Sequence, residues 1–190
     1  FLIAADFVAD SNVVLMLGDN LFSGSDDVPR SIREFQRGAT IFAYRVPDPA
    51  RYGVVEFDRN MHVVSLEEKP SKPKSTYAVP GIYIYDSQVV GIARSITPSP
   101  RGELEITDVN QEYLLREALQ VHRLSRGFAW LDAGTSAVLQ DASTYIKAIE
   151  RRQGLKIGCP EEAALVCGFI DLNQFQTLLR RMPACEYRDY

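Results

Sequence analysis

Two aspartates stand at corresponding places in two apolar segments. Asp19 follows Val13-Val14-Leu15-Met16-Leu17-Gly18, and Asp132 follows Phe128-Ala129-Trp130-Leu131 and precedes Ala133-Gly134. In open α/β sheets the ligand crevice lies beyond the carboxyl ends of the strands, so a carboxylate there is free to face a ligand. Hard cations such as Mg²⁺ are held by one or two carboxylates together with substrate phosphates. Two strand-end aspartates converging on one crevice would form that half-cage, with Lys69 and Arg101 as cations for phosphate oxygens. Each residue alone has a plainer reading: Asp19 as a turn residue, Lys69 as a solvated charge, Arg101 as part of a loop. Their co-occurrence points to metal-assisted chemistry on a phosphate. His62 and His122 are isolated in the chain, which leaves little material for a histidine triad or a zinc cluster.

The elements that must position these groups follow from patterning. The continuous apolar run Val13–Leu17 predicts a strand buried on both faces, ended by the turn residues Gly18 and Asn20. Phe1 to Ala9 carries apolar residues at helical spacing, and a short helix around Ile32 and Phe35 should stop at Gly38. Ala39–Val46 is β-rich and closes at Pro47-Asp48-Pro49. Tyr52–Phe57 and His62–Leu66 flank Asp58-Arg59-Asn60-Met61 as a hairpin, with Asn60 suited to the left-handed turn position. Tyr77–Asp86 is another apolar, aromatic run, and Pro80-Gly81 inside it predicts a bend where a ligand or another chain segment comes close. Asp108 and Gln111 form a potential capping pair for a helix through Tyr113 and Leu114. Thr135 or Ser136 can cap a helix ended by Gly154, Pro160 starts another, and Asp171 with Gln174 caps a last one before Pro183. The fold class expected is α/β, a Rossmann-like, mostly parallel sheet with helices on both faces. Residues 1–150 form the domain and residues 151–190 a helical tail.

The 190 residues are enough to bury a sizeable core. A net charge of −4 argues against a nucleic-acid or anionic-membrane surface. No apolar run approaches the roughly 20 residues of a membrane span, and the start lacks the positive region of a signal peptide. Three cysteines without a C-x-x-C pair point to a reducing compartment, the cytoplasm.

Five ordered blocks carry a family likeness. Leu17-Gly18-Asp19-Asn20-Leu21-Phe22, Arg51-Tyr52-Gly53-Val54-Val55-Glu56-Phe57-Asp58, Glu67-Glu68-Lys69-Pro70, Arg101-Gly102-Glu103-Leu104-Glu105-Ile106-Thr107-Asp108 and Ala129-Trp130-Leu131-Asp132 resemble the signatures of the sugar-1-phosphate nucleotidylyltransferases. The likeness is to the thymidylyltransferase branch in particular and continues into the tail through Arg152–Lys156 and Cys159–Glu162. It implies the reaction of glucose 1-phosphate with dTTP to give dTDP-glucose and pyrophosphate, a step toward deoxysugars and cell-surface polysaccharide. UTP or another nucleoside triphosphate in place of dTTP, and a non-catalytic sugar-phosphate-binding remnant, are the alternatives. Carried over by position, Asp19 and Asp132 match the Mg²⁺ ligands, and Lys69 and Arg101 the contacts to the sugar phosphate. Tyr52, Gly53, Glu68, Lys69, Val79, Tyr83 and Trp130 match the substrate pocket. Relatives form homo-oligomers partly through the tail, so self-association is expected.

The family's Gly-rich triphosphate loop, of the form G-x-G-T-R-x-x-P, has no counterpart among these residues, which contain no G-x-G. The expectation is therefore a fragment or truncated product that lacks the nucleotide-binding part, binds nucleotide poorly, and leaves apolar strand surface uncovered. Pro80 and Ala133 stand where the family favours threonine. Ser23 and Ser25 replace an aromatic and a histidine near the relatives' regulatory nucleotide site, so feedback inhibition is not expected.

Overall fold

In the computed structural model, which describes residues 1–190, the chain starts with a one-turn helix, α1 (Ala5–Val8), and a strand, β1 (Val13–Met16). There follow β2 (Asn20–Ser23), α2 (Asp27–Glu34), β3 (Ala39–Arg45), β4 (Gly53–Phe57), β5 (Val63–Glu68), β6 (Tyr77–Ala78) and β7 (Ile82–Tyr85). Two helices, α3 (Gln88–Ser95) and α4 (Ile106–Leu115), lead to β8 (Leu119–Arg123) and β9 (Ala129–Asp132). The last part is helical: α5 (Ser136–Gln153), α6 (Pro160–Val166), α7 (Leu172–Arg181) and α8 (Glu186–Asp189). Contacts divide the chain into two units, Phe1–Gly134 and Thr135–Tyr190, so α5 groups with the tail.

Seven strands of the first unit form one sheet in the order β1-β7-β3-β6-β4-β5, with β8 alongside β3. A separate ribbon pairs β2 with β9. The α/β class is as expected, but the pairing is not mostly parallel within these residues. Only β3 and β8 run parallel; β1–β7, β3–β7, β3–β6, β4–β5 and β4–β6 are antiparallel. β4 and β5 are joined by a tight turn, which needs no crossover helix, and β6 and β7 follow one another along β3, both running opposite to it.

The strands buried on both faces are β3 and β7. Ile41, Ala43, Tyr83 and Tyr85 point into one cluster with Val89, Ile92, Val109 and Tyr113. Phe42, Ile82 and Ile84 point the other way, onto Val28 and Phe128. This corrects the expectation for β1, which is an edge strand: Val13 and Leu15 pack on the first cluster, while Val14 and Met16 are 42% and 53% exposed. An unbroken apolar run does not reveal whether its second face is covered.

Three further details differ from the sequence reading. In the β4–β5 turn the left-handed residue is Met61 (φ 67°), not Asn60. Asp58 builds that turn, its Oδ1 accepting from the backbone N–H groups of Asn60 and His62 at 2.8 Å each. Asp108 does not cap α4, which starts at Ile106; Gln111 instead donates to the Leu66 carbonyl at 2.8 Å. The third is α3, to which the sequence reading assigns no element: Val89-Val90-Gly91 is a poor helical sequence, and burial of Val89, Ile92 and Ala93 overrides it.

In the second unit the caps lie where the residue types place them. Thr135 Oγ1 accepts from Val138 N, Gly154 ends α5 at φ 70°, and Asp171 and Gln174 form a reciprocal capping box on α7. The three cysteines are free. No helix is long and apolar enough to cross a membrane.

Candidate active site

The ribbon brings the two aspartates together. Asn20 lies opposite Asp132 in the β2–β9 register, and the Ala133 N–H donates to the Asp19 carbonyl at 2.7 Å. A methyl placed on Gly134 would sit 3.5 Å from Asp132 Oδ1 and 3.8 Å from Asp19 Oδ2, so both carboxylates edge the same small space. Nowhere does a cage of three or more histidine, cysteine or acidic side chains form. A pair of hard oxygen donors with open positions is the donor set that suits Mg²⁺ when a phosphate completes the shell.

That space opens into a cleft of about 210 Å³ whose walls include Asp19, Asn20, Tyr52, Gly53, Glu68 and Tyr83. The β4–β5 ladder ends at the pair Gly53–Glu68. Thr107, in the first turn of α4, donates to Glu68 Oε2 at 2.6 Å and leaves Oε1 toward Lys69 Nζ at 3.9 Å. Lys69 has φ 42°, a left-handed conformation rare for a side-chain-bearing residue. Pro70 after it disfavours the α region, and the Lys69 N–H is held by the Tyr52 carbonyl at 3.0 Å. Backbone strain of this kind gathers at functional positions.

The opposite wall is aromatic. The Trp130 ring lies 5.0 Å from Tyr52 and 5.7 Å from Tyr44, centroid to centroid. Tyr83 rises from the floor. Burial first, then the charges of Glu68 and Asp19, hold its phenol well above the ordinary range, so it stays a neutral hydroxyl that can donate. The Tyr52 phenol is raised as well, by burial and then by Asp132. Gly53 admits close approach: a Cβ there would meet Thr107 Oγ1 at 3.2 Å and Glu68 Oε2 at 3.3 Å.

A family profile described as nucleotidyl transferase matches residues 1–148. The chain belongs to the nucleotidyl transferase family. It is 53% identical over its whole length to a glucose-1-phosphate thymidylyltransferase of Mycolicibacterium smegmatis and 51% identical to one of Actinoplanes. It spans 66% and 63% of the lengths of these two relatives, just under two thirds of each. A solved structure assigned as a glucose-1-phosphate thymidylyltransferase from Bacillus anthracis aligns with a TM-score of 0.67 and 41% identity, covering 75% of this chain and 57% of that one. A UDP-glucose pyrophosphorylase complexed with UDP-glucose shares the fold at TM-score 0.66 with 19% identity.

Within this nucleotidyl transferase fold, the positions read from the sequence separate into two groups. Asp19, Tyr52, Gly53, Glu68, Lys69, Val79, Tyr83, Trp130 and Asp132 all line the one cleft. Arg101 does not. Its guanidinium is held by Glu103 at 2.7 Å and Glu105 at 3.5 Å, on a tight loop where Ser99 Oγ accepts from the Arg101 N–H. Arg51, whose charge the sequence reading passed over, lines the cleft instead. Thr107 and Asn20 are the other omissions. Thr107 lies in the Arg101–Asp108 block, so its type and place are legible, but its partner Glu68 is 39 residues away. A larger cavity of about 910 Å³ lies in the second unit, but its Lys156 is already paired with Glu150 and Glu186.

Proposed function

We propose that the cleft binds a sugar 1-phosphate together with Mg²⁺, and that it serves nucleotidyl transfer from dTTP to glucose 1-phosphate, giving dTDP-glucose and pyrophosphate. The observation that carries this reading is the convergence of Asp19 and Asp132 on a cleft whose other side offers Glu68, Lys69 and Gly53. Identity of about half to thymidylyltransferases over all 190 residues supports it.

In this reading Glu68, anchored by Thr107, accepts hydrogen bonds from the sugar hydroxyls, and Gly53 lets the ring lie against the β4 backbone. Tyr83 donates a neutral hydroxyl, and Trp130 with Tyr52 walls the apolar face. Lys69 and Arg51 attract the phosphate. The left-handed Lys69 backbone, held by the Tyr52 carbonyl, directs that side chain's start toward the cleft it lines. A phosphate oxygen of the sugar attacks the nucleotide α-phosphorus in line, the α–β bridging bond breaks, and pyrophosphate carries away the electron pair. The nucleophile is already an anion near neutral pH, so a site without a histidine lacks nothing for this step. Bound at Asp19 and Asp132, Mg²⁺ would neutralise charge on the phosphates. Arg101 lies outside the cleft, paired with Glu103 and Glu105, and would have to leave Glu103 to contact the phosphate. We place this activity in the cytoplasm and expect the chain to self-associate, which light scattering tests.

The test is direct. Glucose 1-phosphate titrated into the 190-residue chain with Mg²⁺ should saturate a change in the fluorescence of Trp130, the sole tryptophan. Glucose alone should not, and Asp19→Ala should weaken the response. Absence of saturable binding refutes the site. Pyrophosphate release with dTTP and with UTP in parallel then decides turnover and base; binding without release from either favours a sugar-phosphate-binding remnant.

A further inference from the structure

Asn20 is 8% exposed, and its side-chain amide makes three hydrogen bonds to three different parts of the site. Oδ1 accepts from the Gly81 backbone N–H at 3.0 Å and from the Trp130 indole N–H at 2.6 Å. Nδ2 donates to Asp19 Oδ1 at 2.8 Å. Both groups facing Oδ1 can only donate, so the amide cannot be reversed and its NH₂ must face Asp19. The side chain is also held sterically: a Cβ on Gly81 would fall 2.9 Å from Asn20 Cγ and 2.7 Å from Leu17 Cδ1.

We propose that Asn20 is a positioning residue that orients the Asp19 carboxylate for the cation and couples it to the Trp130 wall. With Oδ1 of Asp19 occupied by the Asn20 NH₂, the oxygen left over is Oδ2, which faces the space shared with Asp132 Oδ1. The carboxylate is thereby presented through one oxygen, at a fixed rotation, before any cation arrives. Hydrogen-bonded partners behind carboxylate ligands typically govern cation affinity by 10- to 100-fold. Because the same amide also holds the indole, anything that shifts Trp130 on binding sugar phosphate also moves Asp19. Cation and sugar phosphate are therefore coupled through this one amide. This inference rests on the metal-site reading given above, and the two fail differently.

The experiment is a Mn²⁺ titration of the full 190-residue chain, read by water-proton relaxation and by Trp130 fluorescence. Asn20→Ala removes the amide. Gly81→Ala leaves every polar group in place but pushes the Asn20 side chain aside. Far-UV circular dichroism and a cooperative melt establish that each variant is folded. The expected result is a Mn²⁺ dissociation constant raised about 10- to 100-fold in Asn20→Ala and raised in the same direction in Gly81→Ala. Glucose 1-phosphate should tighten Mn²⁺ binding in the unsubstituted chain, and the tightening should shrink in both variants to what direct phosphate ligation alone supplies. Mn²⁺ affinity within twofold of the unsubstituted chain in either folded variant overturns the positioning role. If the unsubstituted chain shows no saturable Mn²⁺ binding, the metal site itself fails and the inference falls with it.

Discussion

Replacing Gly53 by alanine should separate ligand binding from folding. The new methyl would sit 3.2 Å from Thr107 Oγ1, 3.3 Å from Glu68 Oε2 and 3.7 Å from Val79 Cβ. Those first two contacts are a few tenths of an ångström tight, and the two atoms are bonded to each other at 2.6 Å. The methyl therefore presses on the hydroxyl–carboxylate pair and occupies the surface where a sugar ring would lie. A hydrogen bond to a charged group contributes about 1.5–3 kcal/mol. Losing one between the sugar and Glu68 corresponds to roughly a 10- to 100-fold weaker complex. Folding should respond in the opposite sense or hardly at all, because Gly53 has no left-handed φ to lose and alanine restricts the unfolded chain. Glucose 1-phosphate titrations read by Trp130 fluorescence, alongside urea unfolding of the same variant, measure both quantities. Unchanged affinity would refute the placement of the sugar against β4. A parallel loss of stability of several kcal/mol would mean that the contacts measured at Gly53 hold the fold rather than the ligand.

Asp86→Asn should destabilise the chain by roughly 3 kcal/mol in urea unfolding. Tyr113 and the Gln88 N–H donate to Oδ1, and the Gly38 N–H and Gln88 Nε2 to Oδ2, so a single NH₂ faces two donors whichever way it turns. Asp27→Asn should flatten the acid limb of stability. Ser25 and then Ser125 and Arg30 hold the Asp27 carboxyl below its ordinary value of 3.8. Its contribution is complete above that ordinary value and is lost as the pH falls through the lowered one, as acid titration followed by circular dichroism would record. Asp171→Ala removes one half of the α7 capping box and should cost about 1 kcal/mol of helix stability, read from a thermal melt.

The acidic pair was legible because its signal is local: an apolar run, an aspartate and a glycine, twice. The wall formed by Gly53, Glu68 and Lys69 was legible through ordered blocks that carry a family likeness. What escaped depends on partners distant in the chain. Asn20 looks like a turn residue until Gly81 and Trp130, 61 and 110 positions away, are seen to claim its oxygen. β7 pairs antiparallel with both β1 and β3, and strand direction leaves no trace in an apolar run. For Arg101, type and spacing fitted a phosphate contact, yet acidic neighbours two and four positions on retain its side chain. Met61 holds the left-handed turn position because the Asn60 and His62 N–H groups on either side of it both donate to Asp58 Oδ1 and fix the turn.

The carboxylates are carried by a ribbon of two four-residue strands that shares no ladder with the seven-stranded sheet. Two-stranded ribbons are marginal in water, and this one keeps its place through Phe22 and Trp130 packed beside Phe128 and Phe42. Its amides are therefore expected to exchange faster than those at the centre of the large sheet. A cation bridging Asp19 and Asp132 would pin the end of the ribbon where the strands would first fray. Occupancy of the site would then be recorded as slower amide exchange along Asn20–Ser23 and Ala129–Asp132, and depletion of the cation as local melting that leaves the large sheet intact.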